Sequence, residues 1–323
     1  MKIVVIHSSS RGGSSLFKEM LMQSPDVSGL AGEEEPYLRL TGNCYPYNPS
    51  DEIDDLVQVD TLRKLILDEL NETDMQKAWK KRLRLQFPGR EFPDIFGNVD
   101  EWLEEQQIAG YYDGTKERKD WDIRHKYEEP PYVKPIKGRG TDKLVIFKAP
   151  SNAYRPNLYE RLFPEADVRY IWLTRNPCSS INGLIDGWMS RHGFFSHFID
   201  GFGWWKFDLF PEWREYIEAD VPDKCAMQWL SAHQHIYEQI HDRPHYRVKF
   251  EDVIQDTNLT MFNVFYWLDL PAPKQFKKPM VMSTAKPRPH RWHDRASVIV
   301  PIVDRFCREM MISLEYTDER KFI

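Results

Sequence analysis

The chain opens on a run of β-branched residues, Lys2-Ile-Val-Val-Ile-His7, long enough for one buried strand. Ser8 to Ser15 follows as a polar stretch of hydroxyls and glycines around one arginine. From Leu16 to Met22 the spacing turns helical, with Leu16, Met20 and Leu21 able to face inward. The same alternation resumes far along the chain. Strands are predicted near Leu144–Phe147, Val168–Leu173 and Tyr246–Phe250, helical segments fall between them, and an apolar helix is predicted over Asn258–Leu268. This order predicts an α/β fold with a mostly parallel central sheet flanked by helices.

The whole chain, 1–323, reads as a single domain, with residues 45–140 as an insertion between the two blocks. Asp51 to Asp74 is acidic and helical in pattern, with Leu56, Leu62, Leu65, Ile66 and Leu70 on one side. Trp79, Trp102, Tyr111, Tyr112 and Trp121 come next, interleaved with charges, and Glu128 to Gly140 returns the chain to the core. A variable, aromatic segment of this kind suits a lid over a second substrate; a surface subdomain or dimer contact is the other reading.

Composition narrows the class. A net charge of −6 argues against a general nucleic-acid binder, which carries a basic stripe. The four cysteines, at 44, 178, 225 and 307, form no Cys-x-x-Cys pair, so neither a zinc site nor a disulfide framework is expected. Met1 leads straight into core-forming residues and no apolar run reaches the ~18 residues of a membrane span. A soluble, cytoplasmic protein without membrane or nucleic-acid partners is expected; nothing in the sequence specifies its oligomeric state. His233-x-His235 has the wrong spacing for one helical face, so a metal-independent reaction is expected. The 11 tryptophans and 15 tyrosines suit core packing or an aromatic acceptor pocket.

A strand, a small-residue loop and a helix, in that order, make an anion cradle, because successive backbone N–H groups and the helix N-terminus converge and glycine admits the ligand. The loop is not a Walker A motif, which ends in Gly-Lys-Ser/Thr. Its pair is Gly13-Ser14 and its only charge is Arg11. That suits a phosphate with a second anionic group held by a guanidinium better than a nucleoside triphosphate. An ordinary serine-capped turn is the plain alternative.

Arg11-Gly-Gly-Ser-Ser-Leu16 resembles the 5′-phosphosulfate loop of sulfotransferases that use 3′-phosphoadenosine-5′-phosphosulfate (PAPS). Three further stretches are similar to motifs of that family, in the same order. They are Leu144-Val-Ile-Phe-Lys-Ala-Pro150, Phe163-Pro-Glu-Ala-Asp-Val-Arg-Tyr-Ile-Trp-Leu-Thr-Arg-Asn-Pro177 and Tyr246-Arg-Val-Lys-Phe-Glu-Asp-Val253. The resemblance implies a P-loop-like sulfotransferase architecture and an enzyme that moves a sulfuryl group from PAPS, leaving PAP, to a hydroxyl or amine of a small-molecule acceptor. The alternatives are a P-loop kinase of a small metabolite, a protein-tyrosine sulfotransferase and a nucleotide-binding module without turnover.

The resemblance also assigns residues. Arg11, Gly12, Gly13, Ser14, Ser15 and Leu16 would hold the 5′-phosphosulfate, and Lys148 would stabilise charge at the reacting anion. The histidine that many cytosolic members carry two residues after this lysine is Pro150 here. The tyrosylprotein branch instead uses a glutamate in Gly-Glu-Glu, and this chain has Gly32-Glu-Glu-Glu35. Anchoring on Gly32 makes Glu34 the candidate base, with Glu33 and Glu35 open because Pro25 to Gly32 is two residues longer than in that branch. His192 and His197 are reserves. Arg175 anchors the 3′-phosphate. The family serine eight residues on is Gly183 here, beside Asn182, and Lys286, Arg288 and Arg291 are candidates for a loop closing over the nucleotide. The acidity of residues 51–74 suits a cationic acceptor.

Overall fold

A computed structural model describes residues 1–30, 32–72, 140–155, 157–189, 196–276 and 290–316. The β-branched opening run forms β1 (Lys2–His7), the central strand of a parallel five-stranded sheet in the order β2-β3-β1-β4-β7. The others are β2 (Val27–Gly29), β3 (Leu144–Lys148), β4 (Asp167–Thr174) and β7 (His245–Lys249). Lys2 pairs with Leu144 on one side and Asp167 on the other.

Side chains alternate across the sheet and divide the core in two. Ile3, Val5, Val145, Phe147, Tyr170 and Trp172 face one cluster. Val4, Ile6, Ile146, Ile171 and Leu173 face the other, which contains Phe17 and Met20 of α1 (Ser14–Leu21). A central strand buried on both faces reads as an unbroken hydrophobic run, which is why β1 is visible in the sequence. Helix α1 starts two residues before the expected Leu16. Gly13 takes φ +93° immediately before it, and Ser14 and Ser15 become its first turn.

Helix α2 (Glu35–Leu40) starts with Pro36 in its first turn, where a missing N–H costs nothing. The acidic stretch is helical only as α3 (Val59–Leu70). Residues 51–58 are turns, because Asp51 is drawn inward: its N–H donates to the Leu209 carbonyl (2.8 Å) and its Oδ2 accepts from the Leu209 N–H (2.7 Å). Asp54, Asp55, Asp60 and Asp68 face solvent, while Glu69 is buried and accepts from Tyr37. The aromatic remainder of the expected insertion, with Trp79, Trp102, Tyr111, Tyr112 and Trp121, lies outside the described residues.

Beyond β3 come a tight turn at Pro150–Tyr154, α4 (Leu158–Leu162) and, after β4, α5 (Pro177–Met189). A two-stranded hairpin, β5 (Ser196–Ile199) and β6 (Gly203–Lys206), was not expected, although Asp200-Gly201 at its turn is a hairpin signal. Buried Trp205 packs edge-on against Trp188 (5.2 Å) and beside Trp213 (5.5 Å). Helix α6 (Val221–Ile240) backs this aromatic platform. Trp205 and Gln228 both donate to the Asp208 carbonyl, at 3.2 and 3.1 Å. Asp208 in turn accepts from Ser10 Oγ at 2.7 Å, tying the platform to the loop after β1. Helices α7 (Phe250–Gln255) and α8 (Thr257–Trp267) follow β7, and α9 (Ala296–Ile302) and α10 (Arg308–Ser313) end the described chain. All four cysteines are buried and none forms a disulfide.

Two predictions follow from the platform. A Cβ on Gly187 would fall 2.2 Å from the Phe207 ring, so Gly187→Ala lowers the unfolding free energy by about 1–3 kcal/mol, read by urea denaturation. Burial, and secondarily the charge of Asp51, pushes the Asp208 carboxyl up to about 7. The folded chain therefore holds a proton that the unfolded chain releases near pH 4, and this destabilises the fold increasingly from pH 4 to pH 7. Asp208→Asn keeps an acceptor for Ser10 and raises Tm at pH 8 relative to the native chain, with the gain vanishing near pH 4.

Candidate active site

In an open parallel sheet, ligands gather outside the carboxyl ends of the strands. Here that edge carries the loop after β1, Lys148 at the end of β3, Arg175 after β4 and Phe250 after β7. The loop needs unusual backbone. Arg11 takes φ +63° and Gly13 φ +93°, and a Cβ on Gly13 would fall 2.2 Å from the Phe250 ring. A Cβ on Gly12 would come 2.8 Å from the Ser9 carbonyl oxygen. Both glycines are thus required by close approach, and Gly13 by turn geometry as well. Helix α1 has no side-chain cap, so its first N–H groups stay available to a ligand. Ser8 Oγ, Ser9 Oγ and Ser180 Oγ are buried without a hydrogen-bond partner among the described residues. Leu16, expected to touch the cofactor, buries its side chain against the sheet and offers only its backbone. Lys18 does not replace a Walker lysine: its Nζ donates to the carbonyls of Leu30 (2.8 Å) and Gly32 (3.1 Å).

Three arginines, Arg175, Arg291 and Arg295, join Arg11 of the loop. Arg175 Nη1 donates to the Arg11 carbonyl at 2.9 Å, and its guanidinium lies 4.9 Å from the Phe250 ring centre. Burial draws Arg175 down to about 10; Glu251 opposes this, while Arg11 and Arg291 add to it. Burial likewise lowers Arg11, reinforced by Arg291 and opposed by Asp186. Arg291 pairs with Asp186 Oδ2, and Arg295 Nη1 donates to Asp186 Oδ1 (2.6 Å) and Asn182 Oδ1 (2.8 Å). Glu251 supports the segment after β4: it accepts from the Asn176 N–H and from Tyr316 Oη, both at 3.0 Å. Glu251 of the fourth motif therefore braces Arg175 from behind. Gly183 lies against Arg11, where a Cβ would sit 3.3 Å from the Arg11 Cβ. Arg295, Asp186 and Glu251 had no individual role in the sequence reading. Their contacts span the chain, and the basic run Lys286–His293 stops two residues short of Arg295. Lys286 and Arg288 lie outside the described residues.

The acidic side is as densely built. Lys18 holds the carbonyls before the triple glutamate, and the three carboxylates then diverge. Glu33 accepts from Lys148, whose side chain is 5% exposed against 35% for Glu33. Glu34, expected as the base, is 1% exposed; its Oε1 accepts from Asn152 Nδ2 (2.6 Å) and from Tyr159 Oη. Glu35 is buried against Ser151 Oγ and Arg155 Nη1 (3.4 Å). Burial, with the charge of Glu33, raises Glu35 to about 8, and Arg155 works against it. Burial and the neighbouring Glu34 raise the Tyr159 phenol well above its ordinary value, so it acts as a donor. His197, a reserve base, is lowered by burial and faces Asp51, its Nε2 3.8 Å from Oδ2; His192 lies outside the described residues. Among the described residues no three His, Cys, Asp or Glu side chains converge as a metal set, and no helix is long and apolar enough to cross a membrane.

A search of curated proteins returns no match. Among solved structures, the chain is similar to the sulfotransferase domain from the curacin biosynthetic pathway, at 14% identity and TM-score 0.44, over 90% of this chain and 81% of that one. It is also similar to a sulfotransferase domain from the Synechococcus PCC 7002 olefin synthase (15%, TM-score 0.43, 95% and 94%). A third is a sulfotransferase from Alicyclobacillus acidocaldarius (13%, TM-score 0.41, 100% and 98%). A sequence profile of the sulfotransferase family matches residues 4–274, a span that takes in the loop after β1, Lys148, Arg175 and Glu251. The match covers well over half of the chain, and the protein belongs to the sulfotransferase family.

Proposed function

We propose that this enzyme takes its sulfuryl group from PAPS and passes it to a hydroxyl or amine of a small-molecule acceptor. The observation that carries the reading is the pairing of Lys148 with Glu33 at the strand edge that also bears the anion loop. The residues present fit such a donor. Four guanidiniums gather at this edge, offset among the described residues by Asp186 and Glu251, and such a cluster matches the chemistry of a nucleotide with anionic groups at both ends. The partnerless hydroxyls of Ser8, Ser9 and Ser180 are further ligand groups of the right chemistry.

Bound PAPS supplies a sulfuryl group on its 5′-phosphate; the acceptor oxygen or nitrogen bonds to sulfur as the bridging S–O bond breaks and PAP departs. On this reading Arg11 and the N–H groups of residues 13–15 bind the 5′ end, the expected Gly12 N–H being already donated to the Ser9 carbonyl at 3.1 Å. Arg175, Asn182, Arg291 and Arg295 bind the 3′-phosphate, with Gly183 giving room to Arg11 rather than a serine contact; Lys286 and Arg288 remain assigned to the closing loop. Lys148 stabilises the charge that collects on the leaving oxygen. Glu33 removes the acceptor proton: it is the most accessible of the three glutamates and already lies beside Lys148. The exposed positions of Asp54, Asp55, Asp60 and Asp68 give no support to a cationic acceptor, so the acceptor is assigned by its nucleophile and not by its charge.

Isothermal titration tests the donor assignment. PAP is expected to bind in the micromolar range and much more tightly than AMP, and Arg11→Ala or Arg295→Ala weakens it about 10- to 100-fold, the worth of one charge-assisted hydrogen bond. Equal binding of PAP and AMP overturns the 3′-phosphate site. Proton removal is tested by PAP release from PAPS over a panel of phenols, alcohols and amines. Glu33→Gln is expected to lower kcat about 10²- to 10⁴-fold with PAP affinity unchanged. Full turnover in that variant removes Glu33 from the chemistry.

A further inference from the structure

The segment that follows Lys148 grips the glutamates individually. Four polar side chains in nine residues, Ser151, Asn152, Arg155 and Tyr159, turn towards residues 34 and 35, more than a hundred positions earlier in the chain. They form two linked sets, Arg155 Nη1 of one donating to Asn152 Oδ1 of the other at 3.3 Å. Asn152 Nδ2 and Tyr159 Oη converge on one oxygen, Glu34 Oε1, and also bond each other at 3.0 Å. Ser151 Oγ and Arg155 Nη1 converge on Glu35 Oε1, and Arg155 bonds Ser151 at 2.6 Å. All six residues are at least 95% buried. Buried polar groups held this way have one low-energy arrangement, since rotating either carboxylate out leaves several donors without acceptors.

The geometry points to Glu34 and Glu35 as positioning residues. The turn before α2 must aim three consecutive carboxylates in different directions, and two of them are fixed from the Lys148 side. The same short stretch, β3 to α4, therefore supplies Lys148 and sets which glutamate meets it. In this arrangement Glu34 functions as a hydrogen-bond acceptor, not as a proton carrier. Its neutral isostere, glutamine, offers the same Oε1 to Asn152 and Tyr159. The inference takes the family assignment as given and rests on the proposed pairing of Glu33 with Lys148 in the reaction.

The test compares Glu34→Gln, Glu34→Ala and Tyr159→Phe with Glu33→Gln, using a readout that needs no turnover. The acetylation rate of Lys148 by acetic anhydride at pH 8, followed by mass spectrometry, reports whether the ammonium still has its carboxylate. Glu33→Gln is expected to raise the rate several-fold. Glu34→Ala and Tyr159→Phe are expected to raise it towards the Glu33→Gln value and to add nothing further when combined with Glu33→Gln. Glu34→Gln is expected to match the native chain in acetylation, PAP affinity and kcat. Thermal unfolding accompanies each variant, and Tyr159→Phe, which removes a single oxygen, serves if Glu34→Ala does not fold. A native acetylation rate in Tyr159→Phe overturns the positioning role, as does an inactive but correctly folded Glu34→Gln, which makes Glu34 the base. Full turnover in Glu33→Gln with the acetylation pattern intact instead overturns the catalytic reading of Glu33 and leaves the positioning of its neighbours standing.

Discussion

Mutual repulsion among desolvated guanidiniums is the constraint around which this molecule is arranged. Arg11, Arg175, Arg291 and Arg295 gather at one edge of the sheet, and burial depresses the first two below the ordinary arginine range. A cluster of that kind disperses unless the fold holds it by other means. Asp186 binds two of the four, Glu251 opposes the desolvation of Arg175, and Phe250 supports the same guanidinium with its ring face. These supports come from α5 and α7, so the residues flanking β4 and β7 share one electrostatic task. Among the described residues, Asp186 and Glu251 are thus the two carboxylates that hold this cluster together.

The opposite side of the edge faces the mirror problem. Glu33, Glu34 and Glu35 are adjacent in sequence and two of them are buried, an arrangement that repels itself unless each charge or proton finds a separate partner. Lys148 takes the first, an amide and a phenol take the second, and a hydroxyl and a guanidinium take the third. The anionic half thus follows β2 and the cationic half follows β1 and β4, with β3 and its Lys148 between them in the sheet. Ser10 links the cationic loop to Asp208 on the aromatic platform, so the loop is held from outside the sheet as well.

The sheet was legible where burial on both faces erases alternation: β1, β3 and the second half of β4 read as apolar runs ending within a residue or two of their observed limits, whereas β7, His245-Tyr-Arg-Val-Lys249, is a half-buried edge strand placed by its motif. β2 was not, because Val27-Ser-Gly29 is three residues long and carries one apolar side chain. Helical periodicity overran at residues 51–58, where a buried Asp51 overrides the pattern. In the site, Arg11, Lys148 and Arg175 stand at strand ends within recognisable local motifs. The division of labour among the glutamates had no local signal. It depends on Asn152 and Tyr159, which lie 118 and 125 positions away in sequence. The Asp186 bridge to Arg295, across 109 positions, was invisible for the same reason.

Gly183 stands against the left-handed Arg11 with no side chain between them. The two positions are therefore sterically coupled. A side chain gained at 183 would meet the Arg11 Cβ at 3.3 Å and its Nε at 3.5 Å, so the loop would give by a few tenths of an ångström to admit it. The aim of the arginine is thus set in part from a helix on another strand's crossover, by what that helix leaves out.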